Sequence, residues 1–221
     1  MYKLILVTTS ALAMTACTYS SHGPEANRSV ESAGLVASAD VDVTGDAEFS
    51  GMIVNANGDV GRDLDLAGAT VRSNADVGGN LTAAGARVRF TGSVAGDADV
   101  AAATTHLDAE FGGNLTVAGA RVTIDGTVTG ELDAHAARIE LKGEFLSPVM
   151  VIGEGRSESG EAIVSGHLAQ GGVICATEVR FRNNARVDGE LTIITETRPD
   201  SSGARFEFIE LDGRDCDKID L

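Results

Sequence analysis

Three sets of residues carry side chains able to do chemistry. The first is a column of oxygen donors spaced 17 apart: Asp46, Asp63, Asn80, Asp97, Asn114 and Glu131. Carboxylates and amides of this kind bind Ca²⁺ when several converge on one point. Even spacing spreads them along the chain instead, and the nonapeptide motif GGxGxD of Ca²⁺-binding repeats does not occur. Asp46, Asp63, Asp97 and Glu131 are therefore weak metal candidates. The competing role is a solvated corner in which these side chains satisfy turn amides. The second set is His22, His106, His135 and His167, which share no phase in the 17-residue spacing and form no HExxH or Cys/His metal motif. Exposed or packed histidines are expected. The third set is the cysteines. Cys175 and Cys216 read as a disulfide in an oxidising compartment, closing a loop of about 40 residues and contributing a few kcal/mol. The alternative is Cys175 buried as an aliphatic and Cys216 free.

No GxSxG, Walker or dinucleotide-binding signature occurs. Polysaccharide lyases and hydrolases use paired carboxylates, which are abundant here, but they also need a groove of extended loops and aromatic platforms for sugars. The repeat described next has no spare residues and no Trp or Tyr. No catalytic residue and no cofactor is expected. The formal net charge of −16 opposes binding to nucleic acid, which needs clustered Lys and Arg. It equally opposes adhesion of the protein body to an anionic membrane surface.

The elements that position these residues come from a repeat. Stepping by 17 from Val43 gives Val60, Val77, Val94, Phe111, Val128 and Phe145, all apolar. A second apolar column runs Ala47, Leu64, Leu81, Ala98, Leu115, Leu132, and a third runs Phe49, Leu66, Ala83, Val100, Val117, Ala134. Met52, Ala69, Ala86, Ala103, Ala120 and Ala137 form a small-residue column, followed two residues later by Val54, Val71, Val88, Thr105, Val122 and Ile139. Alternation at period two means strand with one face buried, and a constant period of 17 means that equivalent residues stack. Glycines recur at Gly79, Gly96, Gly113 and Gly130, and at Gly92, Gly126 and Gly143. They mark corners, where a positive φ is tolerated. The fold class expected is all-β, a single-stranded β-helix or solenoid of 17-residue coils in which only stacking completes the core. Seventeen differs from the 18 of left-handed hexapeptide helices, so a right-handed winding is expected, although no residue fixes the hand. The outward column Glu48, Asp65, Thr82, Asp99, Thr116, Asp133 mostly alternates acid with threonine, which relieves repulsion between stacked like charges.

Regular coils are expected over 41–145 and irregular coils with insertions over 146–195. Pro148, Val149 and Val151 fit a seventh coil, and the segment Gly153 to Glu161 bulges out. Gly166-His167-Leu168 and Gly189-Glu190-Leu191 read as restarts of the corner motif at longer spacing. Residues 196–221 form an acidic tail or cap, with Phe206 to Leu211 able to supply a last strand. At the other end, residues 17–40 are small and polar, the composition of a flexible tether.

Residues 1–16 have the layout of a signal peptide: Lys3, an apolar run from Leu4 to Met14, then small residues before a cysteine. The run is too short for a mature transmembrane helix. Met14-Thr15-Ala16-Cys17 resembles the bacterial lipobox, which implies a lipidated Cys17 and a membrane partner reached through acyl chains. The alternative is ordinary cleavage near Ala13 or Ala16, leaving a free thiol. Thr18, in place of the Asp that retains enteric lipoproteins in the inner membrane, points toward the outer membrane. The chain would be lipid-anchored in the cell membrane or the outer membrane, facing the periplasm or the exterior.

Gly113-Asn114-Leu115-Thr116-Val117 and Gly130-Glu131-Leu132, with Val122-Thr123-Ile124 between them, resemble the repeats of bactofilins, as do Gly79-Asn80-Leu81 and Gly96-Asp97. The resemblance covers roughly residues 41–145. It implies a β-solenoid that joins end to end into non-polar filaments without nucleotide and serves as a scaffold at the envelope. Bactofilins are cytoplasmic, whereas this chain carries an export layout, and its C-terminal insertions could block one solenoid end. The expected function is a non-catalytic, envelope-tethered scaffold that forms a homo-polymer through its ends. The alternative is a binding module whose acidic faces or 153–162 loop hold a cation, a cell-wall polymer or an envelope protein.

Overall fold

The structure is a computed structural model and describes residues 29–153, 160–182, 184–199 and 207–210. These residues form a parallel β-solenoid of about nine turns without a helix, so none has a helix long and apolar enough to cross a membrane. The repeat of about 17 residues is compatible with a bactofilin-like β-helix.

Six strands of 14 residues build the regular part: β1 (Val30–Val43), β2 (Ala47–Val60), β3 (Leu64–Val77), β4 (Leu81–Val94), β5 (Ala98–Phe111) and β6 (Leu115–Val128). Each pairs in parallel with the next in a constant register, Leu64 with Leu81 and Val77 with Val94 for example. The register continues into β7 (Leu132–Leu141), β8 (Glu144–Phe145) and β9 (Val149–Gly153), so Leu132 stacks on Leu115 and Val149 on Leu132.

Burial explains the shape of a coil. In β3, inward residues alternate from Leu64 to Leu66, lose phase over Gly68–Thr70, and resume at Val71 with the opposite parity. The phase change is a bend, because a straight strand would keep one parity. The interior columns read from sequence are the core, with Phe49, Phe90, Phe111 and Phe145 fully buried. The Phe90 and Phe111 rings lie 6.4 Å apart in a tilted contact. Each such ring contributes about 1.5–3 kcal/mol by leaving water. The Met52 column is different: it falls on the bend and faces outward.

Two kinds of glycine position turn the chain. Gly92 and Gly126 have φ of +117° and +126°, as expected of corners. The Gly79, Gly96 and Gly113 column marks a corner as expected but has no positive φ. Its glycines are required by close approach instead. A Cβ at Gly96 would stand 2.7 Å from the Gly79 carbonyl oxygen, because the corner amides also bond from coil to coil, with Gly96 N–H donating to Gly79 O at 2.9 Å.

Two further expectations are corrected. The first coil begins at Val30, in register with Ala47, so 30–40 belongs to the solenoid and not to the tether. Its inward residues include Ala37 and Ala39, too small to give a readable apolar period. The backbone ladder to β2 supplies the order that side chains do not. Second, Gly166-His167-Leu168 and Gly189-Glu190-Leu191 sit on different sides of the coil. β11 (His167–Leu168) stacks on Glu144–Phe145 and under β14 (Arg186–Val187). Only Leu191, in β15 (Glu190–Thr195), continues the Leu115–Leu132–Val149 column, through Gly172 of β12 (Gly171–Ala176).

Insertions account for the irregular coils. Gly153 lies opposite Ala136, but Glu161 of β10 (Glu161–Val164) lies opposite Arg138, so six extra residues leave the coil between them, as expected. β13 (Glu178–Phe181) returns to the 17-residue step on β10. Two more residues enter before Arg186 stacks on His167. β16 (Glu207–Glu210), inside the acidic tail, closes the path on Thr192–Thr195.

Candidate functional site

The oxygen-donor column becomes a ladder. Asp63 Oδ1 accepts the Asn80 N–H at 2.8 Å, Asn80 Oδ1 the Asp97 N–H at 2.9 Å, Asp97 Oδ1 the Asn114 N–H at 2.8 Å, and Asn114 Oδ1 the Glu131 N–H at 2.9 Å. Asp46 Oδ1 completes it more loosely, 3.4 Å from the Asp63 N–H and 3.6 Å from Arg62 Nε. Each side chain satisfies the corner amide of the next coil. The metal candidates Asp46, Asp63, Asp97 and Glu131 thus lie in a line, one per coil, and among the described residues no three His, Cys, Asp or Glu side chains gather into a metal site.

The histidines are dispersed. His106 stacks between Arg89 and Thr123. His135 Nε2 lies 2.9 Å from Asp133. His167 spans two coils, with Nδ1 3.3 Å from Glu144 and Nε2 2.9 Å from Asp188. Arg186 also holds Asp188, and its hydrogen bond, then that of His167, keep the Asp188 carboxyl below its ordinary range. This group joins three successive coils at the site of the insertions, where it acts as a clamp. His22 lies outside the described residues.

Cys175 is fully buried beside Ile152 and Ile194 and is disulfide-bonded. Cys216, its expected partner, and Cys17, the expected lipidation site, lie outside the described residues, as does the lipobox.

Two surfaces were not singled out by sequence reasoning. At the N-terminal end Leu35, Val36, Met52 and Ile53 are 45%, 46%, 59% and 40% exposed, four of the five most open large apolar side chains among the described residues. Val36 stacks directly on Ile53. In later coils the same two columns turn to alanine and to threonine or arginine, so the apolar patch is confined to the first two coils. Beside it runs the outer edge of β1, with which no described strand pairs.

The second surface follows the bend. Thr70, Arg87, Thr104, Arg121 and Arg138 stack in one outward column, and Arg72, Arg89 and His106 in the next but one. Arg138 is held by Glu161 at 3.2 Å. Arg72, Arg87, Arg89 and Arg121 are exposed and have no hydrogen bond or ion pair to a described residue. Sequence could have shown this stripe through the same 17-residue step, but the net charge directs attention to acids.

Comparison with protein-family models, with curated proteins and with solved structures gives no match.

Proposed function

We propose that the chain is a non-catalytic scaffold of the bacterial envelope, anchored through acyl chains on Cys17, whose solenoids join end to end in the manner of bactofilins. The observation that carries this reading is the N-terminal edge. A 14-residue parallel strand whose outer edge pairs with no described strand, flanked by Leu35, Val36, Met52 and Ile53, is a template for pairing with another strand. The regular coils supply a stiff rod that transmits such contacts. The anchor rests on the signal layout at Met14-Thr15-Ala16-Cys17, and Thr18 favours the outer membrane over the cell membrane. An oxidising compartment also suits a Cys175–Cys216 bridge, which peptide mapping without reduction reads directly.

The test is sedimentation velocity with negative-stain microscopy of residues 17–221 carrying Cys17→Ser, a span that contains every described strand. Strings of rods that shorten when Met52 and Ile53 are replaced by Lys support the reading. A strict monomer at every concentration sinks it and favours the alternative of a module that binds a partner through its acidic faces or the 153–162 loop. Lipidation is read separately, by mass of the membrane-extracted protein with Cys17 intact and with Cys17→Ala.

A further inference from the structure

We propose that two copies of this rod dock side by side, the arginine stripe of one against the acidic column of the other. The acidic column runs outward along the first arm of each coil: Glu48, Asp65, Thr82, Asp99, Thr116. Asp65 and Asp99 are exposed and separated by two coils, with Thr82 between them. Arg87 and Arg121, across the bend, are also exposed and separated by two coils, with Thr104 between them.

The two spacings match because both are set by the same backbone ladder. Each coil rises by the inter-strand distance of about 4.8 Å, so both charge repeats are roughly 9.6 Å. One copy's Arg87 and Arg121 can therefore meet the other's Asp65 and Asp99 simultaneously with the rods parallel in axis. The faces allow close approach. The outward column next to the acids is Ala67, Ala84, Ala101, Ala118, too short to obstruct a guanidinium, and threonines separate the charges on both sides. The four arginines without partners among the described residues also need an explanation in a protein of net charge −16. Two such chains repel in most orientations. The stripe favours orientations in which opposite charges face each other, as complementary charge does at interfaces, and the short alanine column beside Asp65 and Asp99 favours that acidic face.

Because the two surfaces are different, the contact is heterologous and repeats from rod to rod. It gives rafts of rods lying side by side. It rests on the scaffold reading only for its biological setting, since lateral docking does not require end-to-end joining.

Charge exchange tests it. The Arg87→Glu/Arg121→Glu variant carries acid on both faces, and the Asp65→Arg/Asp99→Arg variant carries arginine on both. Sedimentation velocity of residues 17–221 with Cys17→Ser is run on each alone and on an equal mixture, at low salt and at ionic strength well above 0.1 M, where the Debye length is about 10 Å. Unchanged circular dichroism and melting confirm that each variant folds. The expected result is salt-sensitive side-by-side association of the unmodified rod, weakened about tenfold or more in each variant alone and restored in the mixture. Lateral association that ignores salt, or folded variants whose mixture stays dissociated, overturns the proposal. So does an unmodified rod that never pairs laterally at low salt but binds polyphosphate through the arginines. Failure of end-to-end joining looks different: the strings vanish while salt-sensitive lateral pairs remain.

Discussion

The first six coils and the coils after Val149 solve the same problem by different means. In the first six, every step is 17, so inward residues stack on inward residues and the corner amides are satisfied by repetition. The Asp63–Asn80–Asp97–Asn114 ladder needs one side-chain oxygen per coil. Among the described residues the only ion pair wholly inside that region is Arg62–Asp46. In the later coils insertions change the step, equivalent residues no longer coincide, and ion pairs take over. Glu161 bridges Arg138 and Arg180 at 3.2 and 3.1 Å, Arg180 reaches Glu178, and His167 joins Glu144 to Asp188. Repetition lets a backbone register do the specifying. Once the register is broken, individual charged pairs must do it.

The contrast can be broken most severely at a corner of the regular stack. Gly126→Val puts a β-branched residue at φ +126° with its Cβ against the Ala109 carbonyl. We expect a loss of about 3 kcal/mol or more, read by chemical denaturation. A loss under about 1 kcal/mol would show that the corners can relax. Asn114→Ala removes one rung of the ladder and leaves the Glu131 amide to water; the expected cost is about 1 kcal/mol. Should Asn114→Ala cost nothing, the ladder is decoration and not support.

A gain is expected inside. Thr105 interrupts the Val88–Val122 column, is 1% exposed, and its hydroxyl has no hydrogen-bond partner among the described residues. Thr105→Val keeps the shape and removes the orphan, raising stability by about 1 kcal/mol in the same denaturation experiment. A loss would mean that the hydroxyl is satisfied.

Acid probes the other region. Arg186 and His167 lower the Asp188 carboxyl, and Arg180 lowers that of Glu178. A lowered carboxylate contributes stability that is complete above its ordinary pKa and is lost as pH falls through the folded value. These groups are exposed, so the effect is small. Hydrogen exchange should show β13 and β14 loosening first as pH drops below the ordinary carboxylate range, while β3 to β6, whose ladder includes the non-titrating Asn80 and Asn114, stay protected. Loosening of β3 to β6 at the same pH would erase the distinction between the two regions.

The sequence by itself determined the coil. Val43 to Phe145, Ala47 to Leu132 and Phe49 to Ala134 stack as their spacing requires, because a period-two alternation sends them inward and a constant step aligns them. The six-residue bulge after Gly153 was legible for the same reason, as a failure of that step. Only the tertiary structure decided what depends on neighbours rather than on period. It drew Val30–Asp40 into the first coil through backbone pairing with β2. It turned the Met52 column outward at a bend that alanines do not announce. It placed His167 over Phe145's strand and not on the Leu191 corner, and it showed that Glu161 neutralises Arg138 while Arg87 and Arg121 are left open. Periodicity reports which way a side chain points along one strand; its partners belong to coils 15, 17, 19 or 23 residues away, and an inserted loop changes them without changing the local pattern.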